Sequence, residues 1–281
     1  MKTLLLLLPL LAYGQAVTGP RSGFVFDTKS KVIRPVNGIP GAATLGEALD
    51  LGGLLLDQVE FSGQLAYAVA GANVYRILLN SGQFEPIQGT QPDARLAAPR
   101  LLWSAATRTI QILPAGRPAF VKADGDLITA AVNQNCAILA FEATVEQLCD
   151  GTNQSRLYAG KATALAADAN SIYAISDNQI LRLAPDLQVL GTGPQLVGLA
   201  LAGTSLLAVA DAQAQTISFL AVSGKVTPDP IKLLFKPTTL RHLDTQILQL
   251  GEAGATPFEV LDLIQQNRSF FIPAIATVGT N

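Results

Sequence analysis

Short apolar runs separated by polar turns recur along most of the chain. The clearest copy has apolar runs from Ile172 to Ile175 and from Ile180 to Leu183, joined by a turn at Asp177-Asn178. Runs of this length, bounded by Gly, Asn, Asp or Pro, are typical of β-strands. Helical periodicity is weak throughout, and only the segment from Ala42 to Leu56 approaches a short helix. The pattern therefore predicts an all-β protein.

Six copies of this strand–turn–strand unit follow one another. Their first strands begin at residues 65, 101, 127, 172, 206 and 247, a mean spacing of a little over 36 residues. A strand-rich repeat of about 40 residues is typical of a β-propeller, in which a blade covers its two faces by stacking between its neighbours. We expect six blades, with seven as the alternative. A β-sandwich is also built from short strands with regular turns, and it is the other fold that fits.

The N-terminal part of the chain predicts how the ring closes. Two strands, Phe24 to Asp27 and Val32 to Gly38, read like the later segment from Arg76 to Gly89. Within them, the five residues from Arg34 to Gly38 parallel the five from Glu85 to Gly89. This copy lacks inner strands of its own. We therefore expect the N-terminal strands to complete the blade that the C-terminal segment begins.

These segments resemble a known group of proteins. The opening, Gly23 to Asp27 with Arg34-Pro35-Val36 and Gly38 to Ala42, looks like the start of uncharacterised exported bacterial propeller-repeat proteins. Later units such as Ser171 to Leu183 look like repeats of the broad β-propeller superfamily that includes the YVTN and NHL types. The resemblance covers most of the chain. It implies a fold and transfers no catalytic residues.

The N-terminus has the pattern of a secretory signal peptide. Lys2 precedes an apolar run from Leu4 to Ala12, and the small residues Gly14 and Ala16 follow. The run is shorter than the roughly 20 apolar residues that a transmembrane helix needs, so a retained membrane anchor is the less favoured alternative. We expect cleavage after Ala16, residues 17–281 as a single propeller domain, and a periplasmic or secreted location.

Charge and hydrophobicity narrow the possible partners. Charged residues form 14% of the chain, against about 25% in an average protein, and the net charge is −2. A nucleic-acid partner needs a basic stripe, and the sequence has none. The second long apolar run, Leu196 to Ala210, is interrupted by Gly203-Thr204 and predicts two buried strands rather than a membrane span. We expect no nucleic-acid partner and no transmembrane segment after signal removal.

The two cysteines predict one disulfide. Cys136 and Cys149 lie on either side of a turn at Glu142-Ala143-Thr144, with strand-like residues on both sides. Neighbouring strands bring Cα atoms within bridging range, and disulfides persist in exported proteins. Two buried free thiols are the alternative.

Catalytic chemistry is weakly marked. The single histidine, His242, precedes Asp244 by two residues, a spacing that points both side chains to one face of a strand. No motif-marked serine or cysteine nucleophile accompanies them, so we interpret His242 as a solvated or loop residue and assign no catalytic residues. One histidine and two cysteines also make a zinc site improbable.

Acidic turns are the remaining candidate for chemistry. Asp124-Gly125-Asp126 and Asp168-Ala169-Asn170 have the oxygen-rich composition of calcium loops, and Asp177 and Asn178 could add ligands. They lack the spacing and the terminal Glu of an EF-hand. Asp, Asn and Gly are also the residues that tight turns require, and we favour that interpretation.

Two functions from different classes fit this sequence. The first is a non-catalytic, monomeric, exported binding or scaffold protein whose loops at one propeller face contact a protein or an envelope component. The alternative is a calcium-dependent exported hydrolase or lactonase-type propeller with the ion in its central channel. We expect no cofactor other than calcium in the second case.

Overall fold

The protein folds into seven antiparallel sheets. The computed structural model describes residues 20–39, 41–114, 116–203, 206–222, 229–244, 247–251, 258–263 and 268–273. Within these ranges every regular element is a β-strand, and each sheet is a meander in which consecutive strands pair. The segment from Ala42 to Leu56, whose sequence pattern approached that of a short helix, instead holds a short strand and turns. The signal-peptide prediction lies outside the described residues.

The first three sheets come from the N-terminal part of the chain. The first has three strands and the next two have four each: β1 (Arg21–Asp27), β2 (Val32–Asn37), β3 (Thr44–Leu45); β4 (Gln58–Ser62), β5 (Leu65–Ala70), β6 (Asn73–Leu78), β7 (Phe84–Pro86); β8 (Arg95–Ala98), β9 (Leu101–Ser104), β10 (Thr109–Ile112), β11 (Ala119–Phe120).

Four further sheets of four strands complete the fold: β12 (Thr129–Asn133), β13 (Cys136–Ala140), β14 (Thr144–Cys149), β15 (Asn153–Ala159); β16 (Ala164–Ala167), β17 (Ile172–Ser176), β18 (Gln179–Ala184), β19 (Gln188–Thr192); β20 (Leu196–Ala202), β21 (Leu206–Asp211), β22 (Thr216–Ala221), β23 (Ile231–Lys232); β24 (Arg241–Asp244), β25 (Ile247–Gln249), β26 (Phe258–Asp262), β27 (Arg268–Ile272). The part of the chain that the structure describes holds no helix of the length and hydrophobicity that a membrane crossing requires.

The seven sheets form a closed ring, a seven-bladed β-propeller. The first strand of each blade is innermost. From the second blade to the seventh it contacts the first strand of the next blade, β1 contacts β24, and an apolar cluster joins the first and second blades to complete the circle. The all-β propeller prediction is confirmed. Six blades, the favoured number, is wrong and the alternative of seven is correct; a β-sandwich is not supported because the sheets are arranged around one axis.

The number of blades expected from the sequence was too low because the N-terminal strands were not counted as a blade. β1 is itself an innermost strand, so residues 21–45 form a blade of their own. All four strands of the last blade come from the C-terminal part of the chain. The N-terminal strands therefore close the ring as a separate blade and do not complete the C-terminal one.

Apolar clusters seal all seven interfaces between blades. Each cluster combines residues of two neighbouring blades, and every neighbouring pair has one. Between the third and fourth blades, for example, Trp103 meets Phe141 edge-to-face with ring centroids 5.9 Å apart. Because both faces of a blade are covered, its second strand is apolar at consecutive positions, and all of Ile172–Ser176 is buried. Most of the repeat starts read from the sequence are therefore second strands, not first strands.

The fourth blade carries the disulfide. Cys136 and Cys149 lie directly opposite each other on β13 and β14, with Cα atoms 4.1 Å apart and an S–S bond of 2.02 Å. The prediction of this bridge from the sequence is confirmed. The apolar run from Leu196 to Ala210 also forms two strands, β20 and β21, as expected.

Ring closure depends on a glycine in β1. Gly23 has a φ of +143°, and a Cβ atom there would lie 2.7 Å from the carbonyl oxygen of Leu243 on β24. Only glycine allows the first and last blades to approach so closely. Gly63 also has a positive φ, +61°, but the space around it is open.

We expect loss of the disulfide to destabilise the protein by about 3 kcal/mol, because the cross-link restricts the unfolded chain. The measurement is urea denaturation of the double variant C136A/C149A beside the wild type. Reductant should destabilise the wild type and leave the double variant unchanged. Equal stability of both proteins without reductant would contradict this prediction.

We expect Gly23→Ala to lower the free energy of unfolding by about 2 kcal/mol or more, since it combines backbone strain with overpacking against Leu243. Gly63→Ala is the matched control and should cost only about 1 kcal/mol, from backbone strain alone. Both values are measured by denaturant unfolding. Equal losses in the two variants would show that ring closure tolerates a side chain at position 23.

Candidate functional site

The meander topology gives the propeller two distinct faces. Connections between blades and turns between second and third strands lie on one face, which we call the connection face. Turns between first and second strands lie on the opposite face, the turn face. The strand order alone therefore assigns each loop residue to a face.

The predicted calcium ligands are divided between these faces. Asp124 and Asp126 lie in the link from β11 to β12, and Asp177-Asn178 form the turn from β17 to β18, so all four are on the connection face. The segment 168–170 joins β16 to β17 on the turn face. The structure does not bring the two predicted loops together at one mouth of the channel.

Hydrogen bonds and backbone angles typical of tight turns explain why Asp and Asn occur at these positions. Asp168 Oδ1 accepts hydrogen bonds from the backbone N–H groups of Asn170, at 2.7 Å, and Ser171, at 2.8 Å. Asp177 and Asn178 both have positive φ, 49° and 59°, as a two-residue hairpin turn requires. No group of three or more His, Cys, Asp or Glu side chains suited to a metal occurs in the described ranges. Calcium binding stays a prediction.

The spacing of His242 and Asp244 predicted that both lie on one face of a strand, on the assumption that side chains alternate regularly. The structure interrupts that alternation. Both lie on β24, but a β-bulge falls between them. A bulge inserts an extra residue and re-aims the side chains that follow it, so a spacing of two no longer implies one face. His242 is exposed and lines the central channel, in a strand and not in a loop.

The central channel is a cavity at the axis of the fold. It has a volume of about 700 Å³, and the first strands of all seven blades line it. Small residues form much of its wall, including Ala97, Ala98, Ala130, Ala131 and the run from Ala164 to Ala167. Threonine, glutamine and arginine side chains also line the channel.

One ion pair crosses this channel. Arg241 on β24 reaches past the first blade to Glu60 on β4 of the second, with 3.7 Å between Nη1 and Oε1. Burial raises the pKa of the Glu60 carboxyl, and the charge of Arg241 partly offsets that rise. Glu60 is thus a carboxylate inside a wall of small apolar residues.

A second cavity lies between the third and fourth blades at the rim. It consists of two adjoining hollows of about 430 and 390 Å³ that share Phe120, Lys122 and Glu146, and we call it the 3/4 groove. Phe120, on the outermost strand of the third blade, is 58% exposed. Arg108 and Arg156 line the first hollow.

Hydrogen bonds hold the walls of the 3/4 groove in place. The Gln154 side chain accepts from the Lys122 backbone N–H at 3.0 Å and donates to the Lys122 carbonyl at 2.6 Å, which ties β15 to the third blade. Arg108 donates to the carbonyls of Ala123 and Gly125. The groove is therefore preformed.

A buried carboxylate lies in the wall of this groove. The Glu146 side chain is 6% exposed, and its Oε1 accepts a hydrogen bond from Arg156 Nε at 3.2 Å. Leu148, two residues along β14, belongs to the apolar cluster between the third and fourth blades. Glu146 therefore takes a position on the edge of an apolar interface, where a charge needs a partner.

Sequence reasoning assigned no functional role to Phe120, Glu146 or Glu60. A signal existed for the two glutamates: Val59-Glu60-Phe61 and Glu146-Gln147-Leu148 each place an acid within an apolar strand. Strand alternation puts Glu146 on the side of Leu148. Nothing in the sequence shows that Phe120 is exposed, because exposure depends on what the neighbouring blade covers.

Comparisons with known proteins bear on the fold. No protein-family model matches the sequence, and no curated protein matches it. Among solved structures, PorZ of Porphyromonas gingivalis, a surface component of the type-IX secretion system, matches 92% of this chain and 38% of its own, with 14% identity and a TM-score of 0.58. This chain therefore spans about two fifths of the PorZ chain.

Two further structures give similar matches. Virginiamycin B lyase from Staphylococcus aureus covers 76% of this chain and 83% of its own, with 13% identity and a TM-score of 0.57. Kluyveromyces lactis Hsv2 covers 73% of both chains, with 10% identity and a TM-score of 0.57. Identities this low show the fold alone. The propeller resemblance predicted from the sequence is confirmed at that level, and the chain has the fold of a β-propeller.

Proposed function

We propose that this chain is an exported, non-catalytic binding or scaffold protein that holds a partner protein or an envelope component in the 3/4 groove. The observation that carries the proposal is Phe120, an exposed aromatic ring at the edge of a preformed groove with a buried carboxylate in its wall. Aromatic and arginine side chains are enriched at protein interfaces. Both residue types meet at this groove.

The groove favours a partner of particular chemistry. An apolar side chain of the partner would cover Phe120, while acidic groups would face Lys122 and the exposed Arg156, which is 65% accessible. Because Gln154 and Arg108 already hold the walls, binding orders few additional side chains here. A preformed site loses less entropy on binding, so a small groove can hold a partner segment.

Two observations support export. The Cys136–Cys149 disulfide is of the kind that persists outside reducing compartments. The first 16 residues have the signal-peptide pattern described above. The likeness to PorZ, itself described as a bacterial surface component, is compatible with an envelope location.

We expect a photo-crosslinking residue at position 120 to form a covalent adduct with the partner in cells that produce the protein. The same residue at Leu187, which is 61% exposed on the rim of the fifth blade, is the matched control and should form none. Lys122→Glu in the position-120 protein should weaken the adduct several-fold, because it repels acidic groups. Equal adducts at positions 120 and 187 would refute the groove as the binding site.

The calcium-dependent alternative has its own test. We expect chelator to leave the melting temperature unchanged, because turn hydrogen bonds already account for Asp168. An ion bound only to the folded state would stabilise that state, so its removal would lower the melting temperature. Asp168→Ala should cost about 1 kcal/mol with or without chelator, since it removes the acceptor of two turn hydrogen bonds. Asp168→Asn keeps that acceptor and should retain most of the stability. A melting temperature that falls with chelator and recovers with calcium would favour the hydrolase hypothesis.

A further inference from the structure

Glu60 occupies an unusual position in the central channel. It lies in the middle of β4, between Val59 and Phe61, which pack into the apolar cluster between the first and second blades. Strand alternation turns Glu60 away from that cluster, and its side chain lines the channel. The Glu60 side chain is 24% exposed, so most of it is covered and the remainder is accessible from the channel.

The channel has room for a small organic molecule. Its volume of about 700 Å³ falls within the range of about 300–1,000 Å³ typical of ligand sites. Alanines on the inner strands of the third, fourth and fifth blades leave this space unfilled, where larger side chains would have closed it. The wall offers an apolar surface with Glu60 as its acidic group among the described residues.

The difference in exposure between the charged groups of the channel, and not the sum of their charges, selects the ligand. Arg241 lies 3.7 Å from Glu60, but its side chain is 56% exposed against 24% for Glu60. An anion on Arg241 would gain little because water screens an exposed charge. Arg100, at the other mouth, donates from Nε to the Leu113 carbonyl at 3.0 Å. A cation at Glu60 interacts where the dielectric is low and electrostatic attraction is strong.

We propose that the central channel binds a small organic ammonium ion, whose N–H groups donate to the Glu60 carboxylate and whose apolar body lies along the alanine wall. The ligand replaces the contact from Arg241, which swings back into solvent at the mouth of the channel. This site is separate from the 3/4 groove, so either proposal can fail without the other.

The burial of Glu60 links ligand binding to the release of a proton. Burial raises the pKa of the Glu60 carboxyl, so this group holds its proton to a higher pH than a free glutamate does. A bound ammonium ion stabilises the carboxylate and lowers that pKa, so binding releases protons. Among the described residues, Arg241 and His242 at one mouth and Arg100 at the other are the remaining charged or titratable groups that line the channel.

Titration calorimetry with two probes of equal shape tests the proposal. Cyclohexylammonium should bind the wild type at least about tenfold more tightly than cyclohexanecarboxylate, which has the same ring and the opposite charge. On the acidic side of neutrality, where the raised pKa leaves Glu60 partly protonated, the apparent binding enthalpy should vary with the ionisation enthalpy of the buffer, as proton release requires. This comparison needs no variant, so it is unaffected by any folding defect.

Three variants then assign the site. Glu60→Gln should weaken cyclohexylammonium binding about tenfold or more and abolish the buffer dependence. Arg241→Ala should tighten it, because a competing cation is removed. Ser62→Ala, in the same strand and lining the same channel, should change nothing. Preference for the carboxylate probe, no binding of either probe, or equal affinity in folded Glu60→Gln would overturn the proposal.

Discussion

The burial of two apolar faces by every blade is the constraint on which this structure depends. A single meander of four short strands exposes both faces to water, and only a neighbour on each side covers them. Seven clusters provide that cover, one for each interface. The ring must therefore close, and closure requires β1 and β24 to approach as tightly as Gly23 permits.

Both candidate sites are places where this cover is incomplete. In the 3/4 groove the outer strands separate, and Glu146 remains at the edge of an apolar interface with Arg156 as its partner. At the axis, alanines leave a channel in which Glu60 is the acidic group among the described lining residues. A rigid ring can hold such groups at fixed positions without ligand, because the clusters around them supply the stability.

The accuracy of the sequence predictions follows the range of the interactions involved. The Cys136–Cys149 bridge is a local hairpin contact, so strand spacing was enough to predict it. The spacing of His242 and Asp244 did not reveal the β-bulge between them, because strand alternation carries no sign of one. The blade count failed because the sequence pattern of the N-terminal strands indicated a fragment without inner strands, whereas β1 is itself an innermost strand. Calcium loops and tight turns share a composition, and the division of Asp124 and Asp168 between two faces follows from topology.

The amino-acid sequence by itself determined the all-β class, the repeat of short sheets and the disulfide, because strand alternation, turn residues and cysteine spacing act over a few residues. Only the tertiary structure decided that seven blades close the ring, that Arg241 meets Glu60 and that Phe120 stays exposed. These features join residues from different blades. Their positions depend on the angle between neighbouring sheets, which the packing of whole faces sets and no local pattern encodes.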